Sequence, residues 1–179
     1  GYLAKVRTDP KGKDADLLIV QFDDQGFDLI RKGRAVDVKD LKEGEYKPRA
    51  LTPLHDAMAS MLNDGIQQDT KYVAVIFTDG LENASRGKYK AMADLRKLVE
   101  QRQAEGWIII YLGANIDAWE QAKPMGIPQE HVMNVHTQGI NQQPAPGLWN
   151  RFKGATGIGN GGNINPLGIA LLAAGGLGL

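Results

Sequence analysis

Three nearly continuous apolar runs, Leu17–Phe22, Tyr72–Thr78 and Trp107–Leu112, constrain this chain more than any other feature. Runs of six or so residues without polar alternation fit strands buried on both faces. The segments between them change period. Leu54, Ala57, Met58, Met61 and Leu62 recur at helical spacing, with Thr52 placed as an N-cap and Pro53 in the first turn. Met92, Leu95, Leu98 and Val99 share one face of a helix expected over about residues 86–105, with Ser85 as its cap and Gly106 as its stop. A shorter helix over Asp117–Ala122, ended by Pro124 and Gly126, and a strand over His131–Val135 complete the alternation. Phe27–Ile30 and Ala35–Leu41 carry charges and read as short edge strands or loop. Strands alternating with helices imply an α/β fold: a doubly wound, mostly parallel sheet with helices on both faces. Ligands of such sheets bind beyond the C-terminal strand ends, so Asp23, Asp24, Asp79 and Asn115 are expected along one edge with Thr52 beside them.

The character of the chain changes after Thr137. Residues 1–136 read as the domain, 137–153 as a Pro-, Gln- and Gly-rich linker, and 154–179 as a neutral, irregular Gly-rich tail. No charged side chain follows Lys153, and such a tail cannot build a core alone. The 21 basic and 21 acidic residues balance to zero, so no field draws the chain to nucleic acid or to an anionic membrane. No apolar stretch is long enough to be read as a membrane span. The absence of cysteine excludes a disulfide scaffold and thiolate chemistry. The N-terminus lacks the apolar run of a signal peptide and, opening on Gly1, fits a piece of a longer product.

Two segments carry chemistry: Leu51-Thr52-Pro53-Leu54-His55-Asp56-Ala57-Met58 before a helix, and Val75-Ile76-Phe77-Thr78-Asp79-Gly80-Leu81-Glu82-Asn83 at a strand end. Each presents an oxygen ligand on a sheet-edge loop, a hydroxyl from Thr52 and a carboxylate from Asp79. Hard cations such as Mg²⁺ select such ligands, although two of them, only one charged, hold the ion weakly. Taken singly, Thr52 is a helix cap and Asp79 part of an Asp-Gly turn.

Together, in wording and spacing, the segments resemble two of the three metal-site motifs of the von Willebrand factor type A (VWA) domain, over most of residues 15–135. The resemblance is to the compact intracellular VWA proteins of bacteria and their phages rather than to integrin or plasma-protein modules. It implies a non-enzymatic interaction module in which Thr52 and Asp79 contribute to a metal-ion-dependent adhesion site. Mg²⁺ or Mn²⁺ would there grip an acidic group of a protein partner, with Glu82, Asn83 and Asn115 on the rim. Asp56 matches a common family position and reads as a structural residue. The alternative is a scaffold component of a larger assembly such as a phage particle, joined through the tail, with the metal site degenerate. The compartment implied is the cytoplasm, with the virion as the alternative.

The third family motif, Asp-x-Ser-x-Ser, is missing. The two serines, Ser60 and Ser85, do not follow an aspartate at the required spacing. In the family that loop follows the central strand, and both would precede the helix whose end fits Tyr2, Leu3 and Val6. The metal site is then completed only by residues outside this chain, and the sheet lacks its middle. Such a gap would leave two rows of backbone groups unpaired, at roughly 1–3 kcal/mol for each buried group. An upstream segment, a strand from another chain, or the tail folded back would each fill it, the last despite the poor strand character of its glycines and Pro166.

Other signals are weaker. Gly157, Gly159 and Gly162 satisfy a dinucleotide fingerprint, but no strand precedes them. His131 and His136 have opposite parity on a strand, as do Asp23 and Asp24. His55, one turn into a helix, reads as a surface residue. No serine–histidine–acid set emerges, so no enzyme is expected.

Overall fold

The computed structural model describes residues 2–10, 12–40, 42, 45, 51–64, 70–114, 116–135 and 167–174, with backbone alone for 2, 3, 71, 135 and 167–174. Its elements are α1 (Tyr2–Thr8), β1 (Asp16–Asp23), β2 (Gly26–Arg34), α2 (Leu54–Asn63), β3 (Lys71–Thr78), α3 (Met92–Ala104), β4 (Ile108–Ala114), α4 (Ala118–Ala122), β5 (Val132–Val135) and β6 (Leu167–Ala174). They form one mixed α/β unit around a six-stranded sheet of order β2-β1-β6-β3-β4-β5. Every neighbouring pair is parallel except the β1–β2 hairpin.

The three apolar runs are β1, β3 and β4, and their parity shows why they lack alternation. Val73 and Val75 of β3, with Ile110 and Leu112 of β4, join one hydrophobic cluster that also holds Val6 of α1 and Leu17 and Ile19 of β1. Ala74, Ile76, Ile109 and Tyr111 join the other, with Leu54, Met58 and Leu62 of α2 and Leu95 and Val99 of α3. Successive side chains point to opposite faces, so both faces of the sheet are covered. At the starts of β3 and β4, Tyr72 stacks on Trp107 with centroids 4.2 Å apart. Buried Arg102 lies over Trp107 and donates to the Leu62 carbonyl at 2.6 Å, joining α3 to the end of α2.

The tail is where expectation and structure part. Leu167–Ala174 is no irregular segment but the central strand β6, paired in parallel with β1 on one side and β3 on the other. Of the three ways to fill the gap, this one occurs here. Its cause lies in the neighbours: β1 and β3 do not pair with each other, and only a strand between them satisfies both rows of backbone donors and acceptors. Glycine weakens a strand, yet Gly168 is held from both sides; Pro166 lies outside the described residues.

Three smaller differences have equally local causes. Residues 26–34 form a full edge strand, its exposed and charged positions following from one unpaired edge among the described residues. The second long helix starts at Met92, after a 3₁₀ turn at Lys88–Lys90, because Ser85 is engaged elsewhere. The helix of the Thr52 segment starts at Leu54 with Pro53 at its N-cap and no capping bond from its own side chains. The short helix α4 has Asp117 as its cap, accepting from the Trp119 and Glu120 N–H groups.

Candidate functional site

Parallel pairing sets the C-terminal ends of β1, β3 and β4 along one edge of the sheet, so Asp23, Asp24 and Asp79 belong to the same rim. Asp23 is buried, and its Oδ1 accepts the Gln25 N–H at 2.8 Å, shaping the β1–β2 turn. Asn115 lies outside the described residues.

Two loops meet at the centre of this rim, residues 51–53 before α2 and 79–87 after β3. The Thr52 N–H donates to Asn83 Oδ1 at 2.8 Å, and the Asn83 N–H donates back to the Thr52 carbonyl at 3.2 Å. That reciprocal pair lays the Thr52 side chain against Gly80. A Cβ added at Gly80 would lie 2.7 Å from Thr52 Oγ1, so only glycine admits the hydroxyl at this approach. Gly80 is itself held by Thr78, whose hydroxyl donates to the Gly80 carbonyl and accepts its N–H, both at 3.1 Å. Thr52 is buried and Asp79 half-buried. The two residues picked from sequence therefore stand at one corner, hydroxyl against the Asp79-Gly80 turn.

Glu82 supplies the cap that Thr52 does not. Its Oε2 accepts the His55 N–H at 2.8 Å and the Ser85 hydroxyl at 2.7 Å, and its Oε1 accepts the Ala84 and Ser85 N–H groups at 2.9 and 2.7 Å. Ser85 Oγ in turn accepts the Asp56 N–H at 3.1 Å, so two orphan donors of α2 are satisfied by the far loop. Asp56 closes the knot: its Oδ2 accepts from the Arg86 and Gly87 N–H groups at 2.8 and 3.2 Å. Burial pulls the Glu82 carboxyl upward, but the His55 and Ser85 bonds outweigh it and hold it below the ordinary carboxylate range. Sequence reasoning names Asp56 as a structural residue and Ser85 only as the cap of the following helix. Their partners lie about thirty residues away, and no local pattern announces them.

A divalent cation fits this corner in part. Thr52 Oγ1 and the Asp79 carboxylate are oxygen donors of the right kind, but an octahedral shell needs six. Glu82 and Asp56, the other acidic side chains of the corner, direct oxygens at backbone N–H groups instead. Among the described residues no three His, Cys, Asp or Glu side chains converge as a metal cluster. The sequence after β6, Gly175-Gly176-Leu177-Gly178-Leu179, offers no side-chain oxygen. Two exposed leucines, Leu51 and Leu81, flank the paired loops directly. No described helix is long and apolar enough to cross a membrane.

Comparison with protein-family models, with curated proteins and with solved structures found no match to this chain.

Proposed function

We propose that the chain is a VWA-like, doubly wound interaction module, non-enzymatic, whose Thr52–Asp79 corner binds an acidic group of a protein partner. The observation that supports it is the close approach of Thr52 Oγ1 to Gly80, the residue that follows Asp79 at the C-terminal edge of a parallel sheet. Thr52 and Asp79 would hold Mg²⁺ or Mn²⁺ once further ligands arrive from outside this chain. When bound, the ion supplies a positive centre for a partner's carboxylate. The Glu82–Ser85–Asp56 knot keeps the two loops in register, and Asn83 fixes the Thr52 backbone. Exposed Leu51 and Leu81 would add apolar contact around a charged centre. Glu82, with its bonds directed inward, serves the rim by holding it rather than by touching the partner.

The test is partner capture from the source cell with and without EDTA, using the unaltered chain and Asp79→Ala. Divalent-dependent capture that Asp79→Ala abolishes supports the reading. Capture that is indifferent to both EDTA and the substitution sinks the metal role.

A second reading, the scaffold component, draws on the position of β6. A chain whose central strand comes from its C-terminal segment has its assembling element inside its own core. Deleting 154–179 should then abolish incorporation into the larger assembly. Incorporation that persists without those residues counts against it.

A further inference from the structure

Strand β6 differs from its neighbours in origin. β1 with β2, β3 with β4 and β4 with β5 are successive in sequence and adjacent in space, whereas β6 enters between β1 and β3 after all of them. Its ladder spans Asp16↔Gly168 to Gln21↔Ala173 on one side and Lys71↔Leu167 to Thr78↔Ala174 on the other. It carries no charged residue. The slot between β1 and β3 thus takes an extended, uncharged, parallel segment into two backbone ladders, as strand-addition sites do.

Residues 136–166 are the only covalent tie between β5 and β6. The start of β6 lies three strand spacings across the sheet from β5 and about one strand length along it, roughly 30 Å in all. Fully extended, that many residues span at most about 100 Å, so the tether can reach the slot of its own chain or of a neighbouring copy. A tethered segment typically meets its own site at an effective concentration on the order of millimolar. The identical segment of another copy makes the same ladder, so it competes once its own concentration reaches that range.

We propose that the β1–β3 slot is a strand-acceptor site that two copies of this chain fill reciprocally, each lending Leu167–Ala174 to the other when crowded to about millimolar concentration. This deepens the scaffold reading by naming a second copy as the partner. Inside an assembly, where copies are held side by side, the exchange links neighbours. In dilute solution the same chain closes on itself.

The chain contains no cysteine, so engineered pairs report without background. Ala74 of β3 faces Ala170 of β6 in register, and strands about 4.8 Å apart lie within disulfide reach. Full chains carrying Ala74→Cys are mixed with full chains carrying Ala170→Cys, refolded together at about 1 mM and at about 10 µM, and oxidised. The expected result is a covalent dimer of the two variants at the higher concentration, at least tenfold depleted at the lower. A chain bearing both substitutions should close internally at about 10 µM. Internal closure without any mixed dimer at either concentration overturns the proposal, and so does failure of the internal bond. Because Ala74 is fully buried, Leu18→Cys on the β1 side, half-buried and in register with Ala170, serves as a second acceptor.

Deleting 138–163 sharpens the result. The remaining tether reaches at most about 20 Å, too short for closure within one chain. A folded, obligate dimer is expected. A folded monomer or an unfolded chain overturns the proposal. If exchange fails while the unaltered full chain still incorporates into the larger assembly, this proposal falls and the scaffold reading stands.

Discussion

The Thr52–Ser85 corner and the β6 slot lie in one sheet and are held by opposite means. At the corner, the side chains of Glu82, Asn83, Ser85 and Asp56 each bond to backbone groups of the facing loop. In the slot, β6 is held by two backbone ladders, a pattern that the same segment of a second copy matches equally. The corner is thus specific to these residues and tolerant of little. The slot is specific to a conformation and open to more than one occupant. Identity matters in the first region and shape in the second.

The largest expected effect breaks the slot. Ala170→Pro removes a donor from the middle of a central strand and should cost more than about 3 kcal/mol, abolishing a cooperative thermal transition in circular dichroism. An unchanged melt would mean that the sheet does not need β6, and the contrast would collapse.

Next comes the corner. Glu82→Ala strips four hydrogen bonds and leaves the His55 and Ser85 donors without a partner, for a loss of about 3 kcal/mol in urea unfolding. The same carboxylate makes stability pH-dependent. Its folded value lies below the ordinary 4.5, so its contribution is full above that pH and is lost as pH falls through the folded value. Glu82→Gln should therefore flatten the acid limb of the stability profile, and an unaltered limb would remove Glu82 from the account.

Gly80→Ala drives a methyl into the Thr52 hydroxyl and should cost about 1–3 kcal/mol. Pairing it with Thr52→Ala should recover about 1 kcal/mol, and strict additivity of the two losses would argue against the close approach. The smallest effect has the opposite sign. Tyr111 is fully buried, its hydroxyl has no hydrogen-bond partner among the described residues, and burial raises its pKa above the ordinary value. Tyr111→Phe should be neutral or stabilise by about 1 kcal/mol, read as a shift in the urea midpoint.

What the sequence discloses divides along the same line. β1, β3 and β4 are legible because burial on both faces requires apolar residues at every position. Thr52 and Asp79 are legible because their segments have a recognisable wording. β2 is obscured by its own exposure: Phe27 and Leu29 lie open to solvent beside charged neighbours. β6 is obscured because its residues have little intrinsic strand preference, and its state is imposed by the edges of β1 and β3. Ser85 misleads for a related reason. A serine before a helical pattern is a local cap signal, yet its hydroxyl here donates to Glu82 and caps α2 instead.

The position of β6 along the chain also fixes a timetable. A ribosome adding about 5–20 residues per second needs roughly 5–20 s to travel from the end of β3 to the end of β6. Throughout that interval β1 and β3 have emerged, or are emerging, with their inner edges bare, and two apolar strands with open edges attract any other nascent strand nearby. The domain closes by its most distant contacts and in its last step, which makes its folding slow and gives chaperones a defined window in which to act.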